Sequence, residues 1–127
     1  RAFGPKHQEI PEVYQTAGQP VFIPGSMGTC SYVLAGTQEA MQHSFGSTCH
    51  GAGRSMSRIK SKKSTKLNKL LEDLKQQNII VCSGSIRGLL EEAPKSYKDV
   101  NDVVEVVTAE KIGKKVAKLK PIGVVKG

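Results

Sequence analysis

The amino-acid sequence predicts an α+β fold, with short strands early and late and helices between them. Three observations carry this. Short β-branched and aromatic runs fall near the start of the chain and an extended segment falls near its end. Between them, apolar residues recur at helical spacing. Strands and helices do not alternate as a βαβ series, so a doubly wound parallel sheet is not expected.

Residues 1–19 carry Gly4, Pro5, Pro11 and Gly18 without a clear period, and read as a looped leading segment with at most a turn near Glu12-Val13-Tyr14. Pro20-Val21-Phe22-Ile23 reads as a strand stopped by Pro24-Gly25. After the small-residue loop Ser26-Met27-Gly28-Thr29, a second strand over Cys30–Ala35 ends at Gly36. Thr37 suits the cap of a short helix over 38–44. Residues 45–55 are a loop of small residues leading into a polar helical pattern. The clearest helix is 64–77, with Ser64 as N-cap and Leu67, Leu70, Leu71 and Leu74 at i, i+3, i+4 and i+7. Ile79–Cys82 reads as a buried strand, and Ser85–Glu92 as one or two helical turns stopped before Pro94. Asp99 and Asp102 resemble a capping box with Asp in place of Glu. The five valines between Val100 and Val107 suit a strand by propensity. Val100, Val103, Val104 and Val107 nonetheless keep helical period, which favours a helix, with Gly113 as its stop. Lys115–Val125 is a final extended segment whose Pro121 makes it an edge strand.

At 127 residues the chain is about one domain's worth, and its 38% hydrophobic content allows only a modest core. Three Tyr, three Phe and no Trp disfavour a surface that stacks many single-stranded bases. Apolar runs are too short for a membrane-spanning helix, so no membrane partner is expected. No apolar stretch of signal-peptide type follows Arg1, and the missing initiator Met suggests an excerpt from a longer protein. Cys30, Cys49 and Cys82 are odd in number and form no CxxC pair, which fits reduced thiols in an intracellular protein, cytoplasmic or nuclear.

The net charge of +8 is unevenly spread. Arg54, Arg58, Lys60, Lys62, Lys63, Lys66, Lys69 and Lys75 face only Glu72 and Asp73 in their stretch, and Lys111–Lys126 has six lysines and no acid. Between these, Glu91–Glu110 holds six acids and two lysines. Such a sided field attracts phosphate-rich partners, and Arg54, Arg58, Lys60, Lys62 and Lys63 are candidates to line a path for RNA. The alternative is that these lysines are simply solvated faces.

His7 and His43 read as surface residues. His50 differs, because Gly51, Ala52 and Gly53 beside it let a ligand approach the backbone, and their N–H groups would point at an anion if a helix began near Arg54. Arg54 adds a forked donor suited to phosphate. A neutral imidazole beside bound phosphate is a competent nucleophile at phosphorus. Pro24–Thr29 is a second small-residue loop that could face the same site. No GxxxxGK[ST] run and no cluster with metal-ligand spacing is present, so neither a P-loop nor a self-contained metal site is expected.

The runs Arg1-Ala2-Phe3, Gln19–Leu34 and Phe45–Arg54, with Glu91–Val100 and Lys118–Gly127, together resemble the RtcB family of tRNA-splicing RNA ligases, most closely its archaeal and eukaryotic branch. The likeness is collinear over nearly the whole chain, is weakest over 58–90, and corresponds to roughly the C-terminal quarter of such a ligase, part of a larger mixed α/β fold. It implies an enzyme that joins RNA 3′-phosphate or 2′,3′-cyclic phosphate ends to 5′-hydroxyl ends, using GTP and manganese through a guanylylated histidine. It places that histidine at His50. Pro24, Gly25, Ser26 and Met27 match a first nucleotide loop, Ser31 a further nucleotide contact, and His50, Gly51, Ala52 and Gly53 the guanylylation loop. Tyr97 matches an aromatic that packs on guanine, and Lys126 a base-contacting lysine. The implied partners are tRNA exon halves, GTP and subunits of a tRNA-ligase complex. The family's manganese ligands precede Arg1, so this segment alone is not expected to guanylylate itself. Two other readings stand beside it: a non-catalytic basic RNA-binding module, and a structural piece whose glycine loops are only turns.

Overall fold

A computed structural model describes residues 1–126. Its sheets and helices realise the α+β class. Strands β1 (Pro20–Ile23) and β2 (Ser31–Gly36) pair antiparallel, Pro20 opposite Ala35 and Ile23 opposite Tyr32. Val21 and Ile23 on β1 and Tyr32 and Leu34 on β2 point to one face, where burial follows the period-two alternation of a half-covered sheet. Strand β4 (Gly113–Leu119) adds antiparallel to the other side of β2, with a register irregularity at Val33/Leu34.

The valine-rich segment is helix α5 (Val100–Ala109), as its period requires. The Asp99 carboxylate accepts the Asn101 N–H at 2.8 Å and caps it. Val100, Val104 and Val107 bury against Val21, Ile23, Tyr32 and Leu34 to form the first core. The helix ends earlier than Gly113: Lys111 takes the left-handed backbone at φ 54°, while Gly113 opens β4. A Cβ on Gly113 would come within 3.0 Å of Leu34 Cδ2, so this glycine serves close strand packing and not a helix stop.

The helix expected over 64–77 begins three residues later, and the polar helical pattern before it is a separate helix. Helix α2 (Arg58–Ser64) is capped by Ser57, whose hydroxyl accepts the Lys60 N–H, and α3 (Leu67–Gln76) starts after Thr65 and Lys66 turn to extended backbone. Ser64 therefore ends one helix and does not cap the next. The leucine stripe marked α3 correctly, burying Leu70 and Leu74. Helix α2 lacks a stripe because its buried residue is a serine: the Ser61 hydroxyl donates to the Leu90 carbonyl at 2.6 Å and accepts from Ser96.

Helix α1 (Glu39–Ser44) follows Thr37, whose hydroxyl accepts the Ala40 N–H. Helix α4 (Ile86–Glu91) is capped by the Ser85 hydroxyl, which accepts from Gly88. Short 3₁₀ turns cover Glu12–Tyr14 and Pro94–Ser96.

The final segment is two strands. After β4, Pro121 lies in the connection to β5 (Gly123–Lys126), which pairs parallel with β3 (Ile80–Ser83) in a separate two-stranded sheet. Both β4 and β5 are edges, where the missing Pro121 donor costs no ladder bond. Strand β3 is not buried as expected: Ile79 just before it is covered, but Ile80 is 76% exposed. A second core gathers Met27, Leu70, Leu74, Ile79, Leu89, Ala93 and Val124. The loop after β1 thus runs from Ile23 in the first core to Met27 in the second.

Candidate nucleotide site

Pro24–Met27 spans the seam between the two cores, and its shape is set by close packing. A Cβ on Gly25 would lie 2.2 Å from the Cys30 carbonyl oxygen and 2.5 Å from Thr29 Oγ1, which leaves room only for glycine. The Ser26 N–H donates to Thr29 Oγ1 at 2.7 Å, and the Gly25 N–H reaches Ser31 Oγ at 3.5 Å. Ser31 thus supports the base of this loop.

The His50 loop lies directly against it. The Ala52 N–H donates to the Pro24 carbonyl at 3.1 Å, and Ala52 buries in the first core. Gly53 holds φ +73°, a left-handed conformation glycine adopts without strain. The chain then pairs with the segment carrying Tyr97: the Lys98 N–H donates to Gly53 O at 3.0 Å and the Ser55 N–H to Ser96 O at 2.8 Å. No helix begins at Arg54, since α2 starts at Arg58, so the 51–53 amides are loop donors and not a helix N-terminus. His50 is exposed, and its imidazole enters no hydrogen bond among the described residues.

A cleft of about 280 Å³ gathers the predicted residues of three segments. It is lined by Gly25, Ser26 and Met27, by Glu92 and Tyr97, and by β5 from Gly123 to Lys126. The cleft thus joins the 25–27 loop, Tyr97 and Lys126, far apart in sequence; the 50–53 loop abuts it through the Ala52–Pro24 and Lys98–Gly53 backbone bonds, and His50 is not among the residues that line it.

Arg54 locks this neighbourhood. Its Nη1 donates to Glu92 at 3.2 Å and to the Tyr97 hydroxyl at 3.1 Å, Nη2 to the Glu91 carbonyl at 2.6 Å, and Nε to Met56 O at 3.1 Å. The guanidinium also stands over the Tyr97 ring, 4.9 Å from its centre. Burial raises the Tyr97 phenol above its ordinary value, and its hydrogen bond to Glu92 adds to the rise. Arg58 and Lys62 also face acids: Arg58 lies 3.5 Å from Glu92, and Lys62 bonds Glu91 at 3.0 Å. Hydrogen bonds from Arg87 first and Lys62 second hold the Glu91 carboxyl below the usual carboxylate range. Three of the five cations expected along an RNA path are thus matched by carboxylates. Lys60 and Lys63 are exposed and enter no ion pair among the described residues.

Glu92, to which no sequence motif assigns a role, lines the cleft and ties Arg54 to Tyr97. The signal available was the Glu91-Glu92 pair placed between two basic stretches. The thiols of Cys30, Cys49 and Cys82 are free. Among the described residues, no group of three or more His, Cys, Asp or Glu is placed to hold a metal ion. Among them, too, no helix is long and apolar enough to cross a membrane.

The family profile described as tRNA-splicing ligase RtcB matches residues 1–127. This chain belongs to the RtcB family. The tRNA-splicing ligase RtcB of Pyrococcus furiosus is 52% identical over all 127 residues, which are 13% of that protein's length. That of Pyrococcus abyssi is also 52% identical, over 14% of its length, and that of Methanococcus maripaludis 50% identical, over 26%. The chain therefore spans about a quarter or less of the RtcB relatives named here.

Proposed function

We propose that this segment is the C-terminal, guanosine-nucleotide-binding portion of a GTP-dependent RNA ligase of tRNA splicing, and that His50 is its nucleophile. The observation that carries the reading is the meeting of the 25–27 loop, Tyr97 and Lys126 in one cleft, with the His50 loop bonded alongside it, in a chain of the RtcB family. The cleft suits a purine nucleotide: Tyr97 supplies an aromatic wall, Lys126 a cation, and Ser26 a hydroxyl. Backbone amides and small side chains near His50 allow close approach of a phosphate.

In the proposed reaction, the free imidazole nitrogen of His50 attacks the α-phosphorus of GTP. A P–N bond forms, the P–O bond to the β-phosphate breaks, and pyrophosphate leaves with the electron pair. The RNA 3′-phosphate then takes GMP from His50, which regains a neutral imidazole. The 5′-hydroxyl of the second RNA end attacks the activated 3′-phosphate and releases GMP, which closes the 3′–5′ phosphodiester. The exposure of His50 and its lack of intramolecular partners suit a side chain that must meet two different phosphates in turn. Manganese, which the family's activity calls for, would polarise phosphate oxygens, and no step here is assigned to it. Exon halves of tRNA are the proposed RNA, and subunits of a tRNA-ligase complex the proposed protein partners.

The test is incubation of the full-length protein with α-labelled GTP and manganese. We expect one acid-labile adduct mapping to His50, lost in His50→Ala, with RNA binding largely intact. A full-length protein that ligates RNA without an adduct at His50 would overturn the reading. The 127-residue segment alone should remain unlabelled.

A further inference from the structure

We propose that the groove between α3 and the 93–95 turn binds the sugar–phosphate backbone of a single RNA strand and leads it toward the nucleotide loop. The inference rests on the ligase reading above for the identity of its ligand. Its position differs from the one that charge in the sequence marked, because Arg54, Arg58 and Lys62 are turned toward Glu91 and Glu92.

The groove has a volume of about 540 Å³. Lys66, Lys69 and Lys95 line it against one acid, Asp73. None of the three lysines enters an ion pair among the described residues. Lys95 donates to the Ser64 carbonyl, which fixes its ammonium over the groove without cancelling its charge. Thr65 Oγ1, also in the lining, is buried with no partner among the described residues. Three uncompensated cations around one concavity make an electrostatic funnel for phosphate.

The rest of the lining selects among phosphate ligands. No aromatic side chain faces the groove, so base stacking is not its means of holding RNA. Its floor of Leu70, Leu74 and Pro94 suits the apolar faces of ribose, with phosphates at the lysines. A concave slot fits a single strand better than the convex flank of a duplex. Recognition of this kind is tolerant of sequence.

Gly28 connects the groove to the nucleotide site. It lines the groove and lies two residues beyond Ser26, which lines the nucleotide cleft. A Cβ there would come within 2.9 Å of Pro94 Cγ and 3.3 Å of Leu74 Cδ2, so the loop lies on the groove wall. A strand in the groove therefore runs alongside the loop proposed to hold the guanosine nucleotide.

The test uses the full-length protein and a fluorescent single-stranded RNA bearing a 3′-phosphate, with affinity measured across a salt series. Each lost phosphate contact should flatten the slope of log K against log salt by about 0.7, so Lys66→Gln with Lys69→Gln should flatten it by about 1.4. Lys66→Arg with Lys69→Arg should keep the wild-type slope. An unchanged slope in the Gln pair overturns the proposal, as does an equal flattening by Lys60→Gln with Lys63→Gln, which would indicate general charge and not the groove. Labelling of wild-type His50 with GTP is read in parallel. Its absence would refute the ligase reading and leave the groove to be judged by the salt slope alone.

Discussion

Arg54→Lys keeps the charge at the centre of the site and removes the fork. Arginine here makes four side-chain hydrogen bonds and stacks on Tyr97, with its side chain only 22% exposed. A lysine ammonium reaches one or two of these acceptors and has no plane to lay on the ring. Losing two bonds at about 1 kcal/mol each, and a stacking contribution of about 0.5–1 kcal/mol, gives a local loss of roughly 3 kcal/mol. This loss falls on the joint between the His50 loop and the Tyr97 segment, where the Ser55 and Lys98 amides are hydrogen-bonded. Hydrogen exchange in the full-length protein reads it directly. Both amides should exchange roughly 100-fold faster, while β1–β2 amides such as Val33 and Ala35 stay protected. Exchange at Ser55 and Lys98 within twofold of wild type would refute the assignment of Arg54 as the lock.

Two further outcomes follow from the same geometry. Gly25→Ala forces a Cβ onto the Cys30 carbonyl, which backbone movement must relieve at a cost of about 1–3 kcal/mol; we expect a lower melting temperature together with weaker binding of a fluorescent GTP analogue, and unchanged values for both would show the loop is not so confined. The Glu91 carboxyl titrates below its unfolded value near 4.5, so its contribution is present above that value and is lost as pH falls through the lower folded one. Glu91→Gln should flatten the acid limb of the melting-temperature profile, and superimposable limbs for variant and wild type would remove Glu91 from the account.

Periodicity was informative where a helix or strand buries a regular apolar face. The valines of α5, the leucines of α3 and the alternation in β1 and β2 all belong to that kind. Where burial is polar or irregular it gave only a polar helical pattern before Ser64, with neither its face nor its boundary. Helix α2 buries Ser61 through hydrogen bonds to Leu90 and Ser96, and no hydrophobic pattern encodes a partner thirty residues away. The break at Thr65-Lys66 is a backbone choice invisible to a leucine count, and the left turn at Lys111 uses a residue that carries no turn signature. The site was legible as loops of small residues and as a family likeness. That they meet Tyr97 and Lys126 could not be read from spacing, because β5 is brought there by pairing with β3. Glu92 stayed hidden for a similar reason: its meaning lies in what it faces, an arginine 38 residues before it.

The bonds that assemble the site are mostly backbone bonds. Ala52 to Pro24, Lys98 to Gly53, Ser55 to Ser96 and the β3–β5 ladder join the segments without using His50, Ser26 or Lys126 side chains as struts. A site built this way separates its two kinds of residue. Replacing Gly25, where a Cβ has no room, or Gly53, where φ is positive, disturbs the assembly itself. Replacing His50 removes an exposed side chain that enters no hydrogen bond among the described residues, so the fold should survive its loss. Arg54 and Glu92 are the exceptions, side chains that carry structural load at the rim of the cleft. Acidic partners hold Arg54, Arg58 and Lys62 in place, while Lys60, Lys63 and the lysines of the neighbouring groove enter no ion pair among the described residues. Charge spent on assembly and charge left for a phosphate ligand thus occupy different parts of one basic stretch, a division the composition of that stretch does not reveal.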